Sequence, residues 1–214
     1  AGTDLNPWLA DHKVHGQPVM PGAGFAEIVL AAGCQALGVP ASDLEVTRLE
    51  VEQMLSLDAH ARLTTQWTPE DDGSARVEVH SRSDAGRWTR HAVARVRALG
   101  ADRPAPPVIT PGTGATPLAP NDFYTALRRT GAYHGQAFAA LTRIARGPTG
   151  WTDTEIVLPD EATPYQGAVL HPVMLDAALQ SLAAAMPAEI LSESSEVTYL
   201  PVAMESIRVF GEVG

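Results

Sequence analysis

Hydrophobic positions along this chain fall into two kinds of run. The longest, Gly22 to Leu37, carries Ala23, Phe25, Ala26, Ile28, Val29, Leu30, Ala31 and Ala32, so it is apolar nearly all round. A helix apolar on every face is buried, not laid on a surface. Gly38 and Pro40 close it. The period then shortens. Leu44, Val46, Leu49 and Val51 alternate loosely, and residues 60–67, 75–81 and 88–99 read as further strands. Asp71-Asp72-Gly73 and Asp84-Ala85-Gly86 are the turns between them. One buried helix followed by an antiparallel meander predicts a sheet wrapped around a helix.

The plan recurs in the second half. A short helix is expected from Asp122 to Arg129, capped by Asn121 and stopped by Gly131. Strands are expected at 138–145 and 151–158, and a second apolar helix at 172–185. Residues 197–210 read as strands broken at Pro201. Between the halves, residues 100–120 hold six prolines, which prevent helix and discourage sheet. The expected division is 1–99, a linker at 100–120, and 121–214. The fold class is α+β.

Composition narrows the function. The chain has 214 residues, 45% hydrophobic and 19% charged, which is ordinary globular usage. A net charge of −10 argues against binding a nucleic-acid backbone. Cys34 is the single cysteine, so neither an internal disulfide nor a cysteine-based zinc cage is available. The start carries no export signal and no initiator methionine, which reads as a piece cut from a longer cytoplasmic chain. The apolar stretch at 23–34, interrupted by Glu27, is too short to span a bilayer. Basic residues are almost all arginine, a base-composition habit of the source genome.

Two segments carry candidate chemistry. In the first, His12, His15, Gly16, Pro21 and Gly22 form a Gly/Pro-rich loop feeding a buried helix. Unpaired N–H groups at a helix start can hold a carbonyl oxygen as it becomes anionic. A histidine beside them can remove the adjacent proton. The plain alternative is a structural loop with an exposed histidine. His12 and His15 lack a third ligand at matching spacing, so no metal is expected. Gly22-Ala23-Gly24 fails as a dinucleotide fingerprint, because Glu27 replaces the third glycine and no strand is expected before it. In the second segment, Pro172 opens a helix after His171, and Asp176 and Gln180 share one face at i and i+4. A carboxylate buried there must be paired or protonated. The plain alternative places Asp176 in solvent. Tyr133, His134 and Phe138 lie in a third, weaker segment. His60, His80, His91 and Cys34 read as structural.

Together these segments resemble the dehydratase domain of modular type I polyketide synthases, with an actinobacterial source expected. The resemblance rests on His12-x3-Gly16-x4-Pro21, continued by Gly22-x-Gly24-x-x-Glu27, and on His171-Pro172 with Asp176-x3-Gln180. Leu200-Pro201, Trp8 to His12 and Trp88 to His91 add to it. It departs where the family usually reads Tyr-Gly-Pro-x-Phe: His134 stands in the Tyr position and Gln136 in the Pro position, while Gly135 and Phe138 remain. A strand-forming segment with its own His-Pro, usual before the first motif, is missing.

The resemblance implies a double hotdog, two antiparallel sheets each wrapped around a central apolar helix. It implies a hydro-lyase that eliminates water from a β-hydroxyacyl thioester on an acyl carrier protein. His12 would remove the α-proton and the Gly22 N–H would hold the thioester oxygen. Asp176 would bind or protonate the leaving hydroxyl, oriented by Gln180. Gly16, Pro21 and His171 would support the site, and Tyr133, His134, Phe138, Leu200 and Pro201 would line the acyl tunnel. No bound cofactor is implied beyond the carrier's phosphopantetheine. Neighbouring synthase domains are partners, and the resemblance allows a homodimer. Carrier proteins are usually acidic, so docking onto this acidic chain needs a local basic patch, with Arg128, Arg129, Arg143 and Arg146 as candidates. The rival readings are a double-bond isomerase or pyran-forming cyclase using the same dyad, and a non-catalytic scaffold.

Overall fold

The computed structural model describes residues 2–100, 103, 105–110, 112–163, 167–187 and 197–210. A 3-10 turn at Pro7–Asp11 leads into a hairpin of β1 (His12–Val14) and β2 (Gln17–Pro18). The segment expected to be irregular therefore contains a small strand pair. His15 and Gly16 at its tip have φ of 48° and 81°. A two-residue turn with both φ positive matches the twist of the flanking strands, and Gly16 adopts it without a Cβ clash. α1 (Gly22–Leu37) then forms over the expected residues and ends at Gly38.

The meander follows as β3 (Leu44–Val51), β4 (Leu63–Pro69), β5 (Ala75–Arg82) and β6 (Trp88–Ala98). β4 starts later than expected, at Leu63, and the carbonyls of Asp58 and Ala59 just before it are taken by the N–H groups of Thr3 and Asp4. Next come β7 (Thr116–Leu118), α2 (Pro120–Arg129), β8 (Ala132–His134), β9 (Leu141–Arg146), β10 (Thr152–Ile156), α3 (Pro172–Ala185) and β11 (Ala203–Arg208). α2 begins at Pro120 with Ala119 as its cap, not Asn121. Proline's fixed φ suits the first helical position, so the helix starts there. β9 also begins later than expected, since Gln136–Phe138 forms a 3-10 turn. Residues 197–202 form no strand, leaving β11 as the one described strand after Pro201.

The strands make three antiparallel sheets, ordered β11-β3-β6-β5-β4, β10-β9-β7 and β2-β1-β8. α1 lies across β3, β5 and β6, and α3 across β9 and β10. The two helices touch each other. Phe25, Ala26, Val29 and Leu30 of α1 are fully buried against Val46, Val77, Val79 and Val96 of the large sheet. Each half thus has a central helix wrapped by a sheet. Strands also cross the expected division at 100–120. β11 is an edge of the first half's sheet, and β8 pairs with β1. β7 lies inside the expected linker, where Pro117 is tolerated because β7 is an edge strand. Among the described residues, no helix is long and apolar enough to cross a membrane.

Candidate active site

The hairpin of β1 and β2 explains the spacing of the first motif. The turn at His15 and Gly16 folds the chain back, so Val19 N–H donates to the His12 carbonyl at 3.0 Å. The Val19 carbonyl in turn lies 3.0 Å from His12 Nδ1. A carbonyl only accepts, so Nδ1 carries the hydrogen and the lone pair of neutral His12 is on Nε2. Pro21 is the extended N-cap of α1, and Gly22 its first residue. The Gly22 N–H has no intrahelical acceptor.

α3 brings the second motif to the same place. His171 caps it by accepting the Val173 N–H on Nδ1, and its ring stacks at a tilt on Trp8, 5.7 Å between centroids. Burial pushes the His171 pKa down. Asp176 and Gln180 are 5% and 6% exposed, so the solvent-facing alternative for Asp176 is set aside. Gln180 Nε2 donates to Asp176 Oδ2 at 2.8 Å and to the Phe138 carbonyl at 3.1 Å. Tyr124 donates its hydroxyl to Gln180 Oε1 at 2.9 Å and accepts the Leu141 N–H at 3.1 Å. Burial raises the Tyr124 pKa to about 12, so the phenol stays protonated and the donor stays in place.

β8 supplies the third side chain. Its register sets His134 opposite His12, with the rings 5.4 Å apart edge-on. Asp176 faces both: Oδ1 lies 4.0 Å from His12 Nε2, and Oδ2 lies 3.7 Å from His134 Nε2. Burial lowers the His134 pKa to about 4; the Asp176 charge works against this and His12 works with it. Asp11 anchors the β8 segment to β1 by accepting the Ala137 N–H on its carboxylate. His12, His134, Asp176, Gln180, Gly22 and Leu200 line one cavity of about 120 Å³. An apolar cavity of about 230 Å³ shares Leu127, Leu179, Ala183, Leu200 and Pro201 with it and runs on toward Leu182 and Met186.

The tunnel expectations divide. His134, Leu200 and Pro201 line the cavity that holds His12 and Asp176. Phe138 supports it from behind, with its ring 5.2 Å from that of His12. Tyr133 does not line it. Alternate residues of a strand face opposite sides, so Tyr133 points away from His134 and lies between Lys13 and Arg128. Gly16 is a turn residue outside the cavity, and His171 acts through capping. His15 turns from His12 to Thr198. Of the docking candidates, Arg143 is paired with Asp153, while Arg146 donates to the Met186 carbonyl. Sequence reasoning misses Tyr124, since a lone tyrosine in an amphipathic helix carries no pattern of its own.

Two helix-filled sheets with a cleft that holds a histidine and a carboxylate make a double hotdog with a candidate acid–base site. Comparison with known proteins agrees. A family described as polyketide synthase dehydratase N-terminal domain matches residues 101–214, and one described as polyketide synthase dehydratase domain matches residues 2–82. A phenolphthiocerol/phthiocerol polyketide synthase of Mycobacterium tuberculosis is 50% identical over all of this chain, which spans 12% of that protein. Among solved structures, the dehydratase domain of PpsC from Mycobacterium tuberculosis in complex with C12:1-CoA is 34% identical with a TM-score of 0.83, covering 99% of this chain and 75% of that one. The dehydratase domain from the CurF module of curacin polyketide synthase, 23% identical, shares the fold at a TM-score of 0.86 across 100% of this chain and 77% of that one. The chain belongs to the polyketide synthase dehydratase family, a family of hydro-lyases.

Proposed function

We propose that this domain eliminates water from a β-hydroxyacyl thioester held on the phosphopantetheine arm of an acyl carrier protein, leaving an α,β-unsaturated thioester. The observation that carries this reading is the fixed tautomer of His12, whose Nε2 lone pair opens toward Asp176 across 4.0 Å. His12 Nε2 takes the α-proton. The Gly22 N–H, at the positive end of α1, donates to the thioester oxygen as negative charge develops there. Gln180 occupies Asp176 Oδ2, which turns Oδ1 toward the substrate hydroxyl. The Cα–H electron pair becomes the new π bond as the Cβ–O bond breaks, so the reaction is redox-neutral. The proton that makes the departing oxygen water comes from the Asp176 carboxyl or from the newly protonated His12. The apolar cavity beyond Leu200 and Pro201 receives the acyl chain.

The test is mass-spectrometric detection of water loss from 3-hydroxyacyl carrier-protein and pantetheine thioesters. His12→Ala and Asp176→Ala are each expected to lower the rate about 10²–10⁴-fold. Asp176→Asn separates the proton routes. Near-normal turnover assigns the proton to His12, and a loss like that of Asp176→Ala assigns it to Asp176. No water loss from folded wild-type protein, across several chain lengths and both hydroxyl configurations, would overturn the proposal in favour of a scaffold role.

A further inference from the structure

His134 stands where the family's usual motif has a tyrosine, and its placement gives it more than a lining role. We infer that His134 is a third catalytic residue, donating a hydrogen bond from Nε2 to the oxygen of the departing β-hydroxyl. The inference rests on the dehydratase reading of the same cavity.

Spacing comes first. One ring nitrogen of His12, one of His134 and one carboxylate oxygen of Asp176 lie within 4.8 Å of one another. Three atoms no farther apart than that leave a point within about 2.8 Å of each, hydrogen-bond reach for one oxygen. A zinc-sized ion at about 2.1 Å from each would need its ligand atoms about 3.5 Å apart. Asp176 Oδ1 is 4.0 Å from His12 Nε2 and Oδ2 is 3.7 Å from His134 Nε2, both beyond that. The cup fits one oxygen atom.

Protonation comes second. His134 Nδ1 is buried with no hydrogen-bond partner among the described residues. A buried N–H without an acceptor is rarer in folded proteins than an unused acceptor, so the single hydrogen of the neutral ring belongs on Nε2. Burial keeps the ring neutral at physiological pH. Its Nε2–H faces Asp176 Oδ2 at 3.7 Å, too far for a good hydrogen bond. The donor is therefore aimed into the cup and unspent until a hydroxyl enters. In the reaction it stabilises charge on oxygen as the Cβ–O bond breaks, and it keeps its own proton.

The test compares two leaving groups. His134→Phe and His134→Gln are assayed with a 3-hydroxyacyl thioester and with the matching 3-chloroacyl thioester, whose chloride leaves without taking a proton. We expect His134→Phe to lower kcat for water loss about 10²-fold with KM little changed, and chloride loss to stay within about threefold of wild type. His134→Gln, which keeps an N–H donor, should recover about tenfold over His134→Phe. Equal losses on both substrates would assign His134 a structural role and overturn the inference, as would no loss on either. One equivalent of tightly bound zinc, absent from His134→Phe, would assign the trio to a metal instead. Should His134→Phe fail to fold, nitrogen NMR of histidine-labelled wild type decides. The His134 Nε2–H signal should move with a 3-hydroxyacyl pantetheine amide and stay put with its 3-deoxy counterpart; equal responses would overturn the inference. Wild type that eliminates neither water nor chloride would overturn the dehydratase reading itself.

Discussion

Among single residues, the site is a chain of donors holding one carboxylate in place. Tyr124 holds Gln180, and Gln180 holds Asp176. Tyr124→Phe leaves both Gln180 Oε1 and the Leu141 N–H buried without the hydroxyl. It should cost about 1–3 kcal/mol in urea unfolding and lower kcat more than it changes KM. His134 adds a pH dependence. Its folded pKa of about 4 lies below its unfolded value of 6.5, so between these pH values the unfolded chain binds more protons. The contribution to stability is complete above pH 6.5 and is lost as pH falls toward 4. Wild type should lose about 3 kcal/mol more than His134→Phe between pH 7 and pH 4, measured by denaturant titration at each pH. Parallel acid limbs for the two proteins would contradict this.

One level up, short elements of chain position the reactive groups. The hairpin turn at Gly16 gives His12 its carbonyl partner, and a close approach at Gly135 seats the β8 segment. A Cβ on Gly135 would come within 2.4 Å of the Asp11 carboxyl carbon. Asp11 would have to swing away and release the Ala137 N–H. Gly135→Ala should therefore destabilise by about 1–3 kcal/mol and reduce turnover by moving His134, with thermal melts and the dehydration assay as readouts. A motif read as Gly-x-x-Phe is, physically, a place where one backbone must pass another's carboxylate.

Across the molecule as a whole, the two halves are tied by a buried carboxyl group. Glu27 of α1 accepts the N–H groups of Val169 and Leu170, each at 2.8 Å, in the segment that leads into α3. Burial pushes its pKa up, and the two backbone donors counter this. Glu27→Gln sets an amide N–H against one of those donors. It should cost about 1–3 kcal/mol and slow dehydration without touching substrate, because His12 and Asp176 sit on opposite halves. Net charge acts at this level too. On the proposed reading, an acidic carrier would be repelled by this acidic chain, so docking would depend on cations not already neutralised by a carboxylate. Arg143 is held by Asp153, whereas Arg128 lies over Tyr133, 4.9 Å from the ring centroid. Arg128→Glu should raise KM about tenfold for carrier-bound substrate and leave a small thioester unaffected, while Arg143→Glu should do less. Equal effects on both substrates would remove Arg128 from docking.

The two apolar helices, the motif residues His12, Asp176 and Gln180, and the proline-rich stretch between the halves are all legible in the order of residues alone. Helix period, proline and glycine act over a few neighbours, so no distant contact is needed to read them. Strand pairing across the halves is not legible in that way. Nor is the facing of β8, which turns Tyr133 away from the cavity and His134 into it, or the place of Tyr124 in the site. Those outcomes depend on strand register and on contacts between distant segments. A one-residue change in pairing exchanges the two faces of β8 and leaves the composition of the chain untouched. The candidate site forms where β1, the start of α1, β8 and α3 line one cavity, and no single stretch of sequence contains it.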